Sequence, residues 1–169
     1  MAEVKTDVAV ELDITARRAD TLKLSLEVRD PITTNLLDLS GVQDVSKPKY
    51  QAKMSILDSS RNEVLSVYSY YWVDAVPGSA DHVANTPPSP SSVGHFSGSS
   101  STVQGINLIG QTASSGSVIV NIPNTHTKIP SGDYVYDLQV RFMNSSTSTA
   151  EYNTWLFGKL TITADVTKI

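Results

Sequence analysis

Ile129-Pro130-Ser131-Gly132-Asp133-Tyr134-Val135-Tyr136-Asp137-Leu138-Gln139-Val140-Arg141-Phe142 runs a turn signal straight into a long alternating strand. Pro130 fixes φ and Gly132 tolerates φ > 0, so the two punctuate a tight corner. Tyr134, Tyr136, Leu138, Val140 and Phe142 then fall on every second position, while Val135, Asp137, Gln139 and Arg141 point the other way. Successive side chains of a strand alternate between faces, so this is the pattern of a half-buried antiparallel strand with one apolar side.

The same period of two recurs outward from this stretch in both directions. Val8, Val10, Leu12 and Ile14 alternate with Ala9, Glu11, Asp13 and Thr15, and Leu22, Leu24, Leu26 and Val28 alternate with Lys23, Ser25, Glu27 and Arg29. Tyr50, Ala52, Met54 and Ile56 mark a third strand, and 63–73 a fourth that ends in Tyr68, Tyr70, Tyr71 and Trp72. Between them, 36–41 reads either as a short capped helical turn or as an irregular link burying Leu37 and Leu39. A fifth strand covers 118–122. Beyond Phe142, the polar run 144–149 is a hairpin loop, and 152–163 closes the chain. There Leu156, Gly158, Leu160 and Ile162 share one face and Trp155, Phe157, Lys159 and Thr161 the other, so with the first set inward Trp155 and Phe157 are expected to face outward. About seven or eight strands separated by turn signals predict an all-β fold, an antiparallel β-sandwich with Greek-key pairing.

The 169 residues are expected to form a single domain, 1–169, interrupted by a Ser/Gly/Pro-rich insertion at 74–117. That insertion is too long for an ordinary connection, which marks it as a contact arm or a flap, and 103–109, its one apolar piece, is expected to add a short strand or plug. The chain has no cysteine, which excludes disulfides and thiolate metal sites. Its first residues have no apolar core of a signal peptide, and no apolar run approaches the ~20 residues of a membrane span, so a soluble protein made in the cytoplasm is expected. A net charge of −4, with no Lys or Arg between Arg61 and Lys128, argues against binding nucleic acid through its phosphates.

Catalytic signatures are missing from the sequence. His82, His95 and His126 are scattered through loops without metal-ligand spacing. Gly94-His95-Phe96-Ser97-Gly98 lacks the G-x-S-x-G spacing of a nucleophile elbow. Asp133 and Asp137, four residues apart on one strand face, stand roughly 13 Å apart by strand rise, too wide for a glycosidase pair. Asn144-Ser145-Ser146 matches a glycosylation triplet and reads as a turn. A non-enzymatic protein without metal or other cofactor is expected.

Four pieces carry a resemblance: 16–24 with its Arg17-Arg18-Ala19-Asp20-Thr21 corner, Leu37-Asp38-Leu39-Ser40-Gly41, Tyr50-Gln51-Ala52-Lys53-Met54, and the opening stretch through Leu138, with Gly158-Lys159-Leu160-Thr161-Ile162 as an ending. Together they resemble small immunoglobulin-like structural proteins of tailed bacteriophages, in which an R-G-D-T corner, an L-T-G-Y element and an L-P-x-G-x-Y-x-Y-D-L strand follow in this order. The resemblance covers both ends of the chain and not the insertion. It implies an immunoglobulin-like sandwich and a virion part, a capsid decoration (cement) protein or a tail or baseplate module, assembled in the host cytoplasm with copies of itself, as a trimer or ring, and with other virion proteins. Ala19 stands where the pattern has glycine, so a φ > 0 turn there is not expected. The Gly132-Asp133-Tyr134 corner is also similar to the corner of immunoglobulin domains in which a Tyr hydroxyl bonds back to upstream backbone, with Tyr134 as that tyrosine and Tyr136 at the usual cysteine position.

Interface candidates follow from the aromatics. Tyr68, Tyr70, Tyr71, Trp72, Phe96, Trp155 and Phe157 either contact partners or lie under the folded-back insertion. A different class, a module binding a host glycan or receptor, would stack sugar on Tyr71, Trp72, His95 and Phe96.

Overall fold

The structure, a computed structural model, describes residues 2–5, 8–39, 42–44, 47–48, 50–69, 92–93, 105–109, 116–124, 126–144 and 149–164. They contain thirteen strand segments and no helix. These are β1 (Ala2–Lys5), β2 (Val10–Glu11), β3 (Ile14–Arg17), β4 (Leu22–Arg29), β5 (Val42–Asp44), β6 (Lys47–Pro48), β7 (Tyr50–Leu57), β8 (Glu63–Tyr68), β9 (Ser92–Val93), β10 (Gly105–Ile109), β11 (Ser117–Ile122), β12 (Gly132–Asn144) and β13 (Thr149–Thr163). One sheet runs β1-β4-β11-β10; a larger one runs β2-β13-β12-β7-β8-β9 with β3 also on β13; β5 and β6 pair separately.

Pairing is mixed, which corrects the purely antiparallel expectation. The long strands are antiparallel, but β1 pairs β4, β2 and β3 pair β13, and β8 pairs β9 in parallel. β2 and β3 are parallel to β13 because the amino-terminal segment runs along the last strand instead of turning back on its sequence neighbour. The inward residues of both sheets meet in one apolar cluster, including Leu26, Val28, Val118 and Val120 from one and Met54, Ile56, Leu138, Val140 and Leu160 from the other. All-β content and two sheets over a shared core are consistent with a β-sandwich. Each such side chain contributes about 1.5–3 kcal/mol on full burial, so this cluster is the dominant stabilising term.

Several expectations are met and others are altered. Leu39 is buried in an irregular link with Leu37 packed on the core, the second of the two readings offered for that stretch. The apolar piece of the insertion supplies β10, whose Ile106 and Leu108 enter the core. Val8 instead is 60% exposed, not inward. The first strand is broken at Leu12–Asp13, yet Val10↔Leu156 and Ile14↔Leu160 keep one register across the break.

The largest departure is in β13. Leu138 pairs with Leu156 but Gln139 pairs with Thr154, so Trp155 is an extra residue, a β-bulge. One added residue inverts every facing before it, because side chains alternate with a period of two. Trp155 and Leu156 are therefore both buried, at 1% and 0% exposure, and Trp155 does not face outward as the alternation predicts. Its ring lies 6.5 Å from that of Tyr50, which stacks on Phe142 at 5.9 Å.

Candidate functional site

Of the quoted motifs, the Arg17–Thr21 corner, the Ile129–Tyr134 corner and the end of β13 meet. Arg18 donates from Nε to the Ile129 carbonyl and from Nη2 to the Lys128 carbonyl, both at 3.2 Å, and Thr127 Oγ1 donates to the Asp20 carbonyl at 2.6 Å. The Arg18 backbone N–H donates to the Thr163 carbonyl at 2.9 Å, tying the same corner to the end of β13. The Tyr134 hydroxyl donates to the Pro130 carbonyl at 2.7 Å, the upstream backbone bond expected of it. Gly132, with φ 153°, starts β12 in a conformation that side chains disfavour. Ala19 has φ 64°, against the expectation: the corner keeps its left-handed residue although it carries a Cβ, at about 1–2 kcal/mol of strain. These motif residues hold backbone to backbone; they are framework.

Tyr136 extends that framework across the large sheet. It pairs with Gly158, and its hydroxyl donates to the Leu12 carbonyl at 2.5 Å. Burial, with the charge of Asp13 behind it, pushes the phenol up to about 12, so it remains a donor at any physiological pH. A Cβ at Gly158 would lie 2.2 Å from the Leu12 oxygen, so the absent side chain is what lets the amino-terminal segment cross there. The Asp13 carboxylate accepts the Lys159 N–H at 2.9 Å and closes the crossing.

What remains open is the outward side of the large sheet. Register places Glu11, Phe157, Asp137 and Ser55 side by side across β2, β13, β12 and β7, with Lys159, Val135 and Leu57 in the next row. Phe157 is 40% and Val135 50% exposed, diagonal neighbours on β13 and β12, and Leu57 extends them. Tyr152, opposite Arg141, is 44% exposed further along. Asp133 and Lys159 pair at 2.9 Å beside this group. The hydrogen bonds from Lys159 and Thr161 hold the Asp133 carboxyl below its ordinary range, and Asp133 in turn raises Lys159.

Toward β8 the same side is closed. Gln51, Ser66 and Tyr68 are buried there although their neighbours Met54 and Val67 face the shared core. Arg141 donates to Gln51 Oε1 at 3.0 Å, while Gln51 Nε2 has no hydrogen-bond acceptor among the described residues. Lys53 Nζ lies 3.0 Å from Glu63 Oε2 and 5.5 Å from the Tyr68 ring centre. Burial works to raise Glu63, but bonds from Ser66 and Lys53 outweigh it and leave the carboxyl lowered. Asp137, half-buried, is raised by its burial.

Of the expected interface residues, then, Phe157 is exposed, Trp155 and Tyr68 are buried, and Tyr70, Tyr71, Trp72 and Phe96 lie outside the described residues, as do His82 and His95. Val135 and Tyr152 were legible only as outward or unassigned positions. Both gain meaning from the register: one stands diagonal to Phe157, and the other is turned outward by the bulge. Among the described residues no group of three or more His, Cys, Asp or Glu is gathered as a metal site would require, and no helix is long and apolar enough to cross a membrane. No family model matches the chain, and no curated protein is similar to it in sequence.

Proposed function

We propose that this chain is a non-enzymatic structural protein of a phage virion, an immunoglobulin-like module that assembles with copies of itself and with other virion proteins, on the capsid or in the tail. The observation that carries the reading is the outward face of β12 and β13, where Val135, Phe157 and Tyr152 stand exposed among polar neighbours. Exposed aromatic and aliphatic groups of this kind mark contacts between proteins. The strand order supports the immunoglobulin-like part: β2/β3-β13-β12-β7-β8-β9 and β1-β4-β11-β10 correspond to A′-G-F-C-C′-C″ and A-B-E-D of a variable-type domain. The parallel β1–β4 and β8–β9 pairs depart from that scheme. Two of the motif pieces are tied by backbone contacts, Arg18 to the Ile129 carbonyl and Gly158 beneath the Leu12 carbonyl, which supports the reading without depending on the remaining pieces.

Size-exclusion chromatography with light scattering tests the self-assembly. The unaltered chain is expected to run as an oligomer, and Phe157→Ser to shift it toward monomer while thermal stability changes by no more than about 0.5 kcal/mol. A monomer at every concentration for the unaltered chain would overturn the reading. Antibody labelling of purified particles in negative stain tests the virion location; particles without label would count against it.

A further inference from the structure

Resting on the proposed self-assembly, we infer that copies are joined by exchange of the amino-terminal arm: β1, β2 and β3 of one copy take on the next copy the places they take here on their own chain, with the Arg17–Asp20 corner opened as the hinge. The arm belongs to neither sheet alone. β1 pairs β4 in the four-stranded sheet, whereas β2 and β3 run along β13 in the larger one. From Val8 to Arg17 none of its side chains is fully buried; Val10, Leu12, Ile14 and Ala16 are partly buried against the core. The slot it fills is by contrast built on buried residues, Tyr136, Leu156 and Leu160. Gly158 leaves room for the Leu12 carbonyl, the Tyr136 hydroxyl donates to that carbonyl, and the Lys159 N–H donates to the Asp13 carboxylate at 2.9 Å. A slot matched to Leu12 and Asp13 fits the same two residues of a second copy equally well, which names the occupant.

The closed and exchanged arrangements differ only at the hinge. Arg18 goes with the arm: the bond from its backbone N–H to the Thr163 carbonyl and those from its guanidinium to the Lys128 and Ile129 carbonyls would all re-form on the next copy. Asp20 stays with β4, and its carbonyl keeps the Thr127 hydroxyl of its own chain. Among the described residues one bond closes the corner on itself, from the Asp20 N–H to the Arg17 carbonyl at 3.2 Å, while the Ala19 N–H, 3.3 Å from the Thr127 carbonyl, sits at the divide. Opening the corner forfeits the first of these and frees Ala19 from φ 64°. An exchanged arm thus keeps the strand pairing of the closed chain and sheds its strained residue, and short strained connections favour such exchange between protomers. A reciprocal pair or a closed ring fills every slot.

Paired cysteines read the connection directly, because the chain has none of its own. Arg17 and Thr163 are exposed register partners on β3 and β13, and neighbouring strands lie about 4.8 Å apart, within the Cα reach of a disulfide. After oxidation, Arg17→Cys with Thr163→Cys is expected to give chains linked to one another on a denaturing gel and released by reduction, whereas each single substitution leaves the chain at its own mass. Thr15→Cys with Thr161→Cys probes the same contact two residues earlier. Circular dichroism establishes that each variant is folded. Adding Ala19→Gly, which takes the left-handed corner without strain, is expected to lower the linked share roughly two- to five-fold. A linked share unmoved by that change would overturn the part given to the corner. Disulfides closed within one chain, or thiols left free in both pairs, would overturn the exchange; with the unaltered chain oligomeric by light scattering, self-assembly would then stand on another contact. A monomeric unaltered chain would instead remove the proposed self-assembly itself.

Discussion

The two halves of β13, on either side of the bulge, present the same kind of residue to opposite environments. Trp155, at the bulge, is sealed against Tyr50 in the core, whereas Phe157, two residues on, is exposed between Glu11 and Asp137. Equal spacing and similar chemistry would assign both to one face. The difference teaches that in a strand the facing of a residue is set by the ladder, and a single inserted residue outweighs any intrinsic preference of the side chain.

The contrast is broken or sharpened most strongly by Trp155→Ala. Removing a buried indole is expected to cost about 3–5 kcal/mol, read as a large fall in melting temperature, whereas Phe157→Ser costs almost nothing. Comparable melting of the two variants would mean that the bulge does not bury Trp155. Gly158→Ala is next. Its Cβ would collide with the Leu12 carbonyl, and an expected loss of about 1–3 kcal/mol with weakened protection of the 10–17 amides in hydrogen exchange would show that the crossing needs a bare backbone. Unchanged exchange would show that the amino-terminal segment shifts without penalty.

At the far end of β13, where the corner at Arg18 meets Thr163, Ala19→Gly should stabilise by roughly 0.5–1 kcal/mol, the left-handed strain relieved less the entropy that glycine loses on folding. A lower melting temperature would refute the strained conformation.

The smallest effect belongs to Asp137 beside Phe157. Its carboxyl is raised by burial, so the folded state binds protons more tightly than the unfolded one, and stability falls as pH climbs from the ordinary aspartate value through the raised one. Asp137→Asn should therefore melt slightly higher than the unaltered chain near neutral pH and equally near pH 3, where both are uncharged. A gain of the same size at both pH values would assign the effect to packing rather than charge.

Much of the framework was legible because it depends on local pattern. The alternation over 134–142 and 22–28, the Pro130–Gly132 corner and the upstream bond of Tyr134 each follow from neighbours in sequence, where period and turn chemistry act directly. The candidate face was legible only through Phe157. Tyr152 needed the bulge, which leaves no mark in composition, and Val135 needed a diagonal partner from another strand. Ile32 has no mark in the alternation at all; the three bonds its loop makes to the Asp30 carboxylate accompany its exposure to water.

By itself the sequence determined an all-β chain, the residues of the long strands and the corner that opens β12, since alternating burial and turn conformation are properties of contiguous residues. Tertiary structure alone decided that the amino-terminal segment lies parallel to β13 across Gly158, that Ala19 adopts a left-handed conformation without glycine, and that Trp155 is core while Phe157 is surface. Each of those depends on which strand lies alongside and in what register, and register is an agreement between distant segments that no local pattern carries.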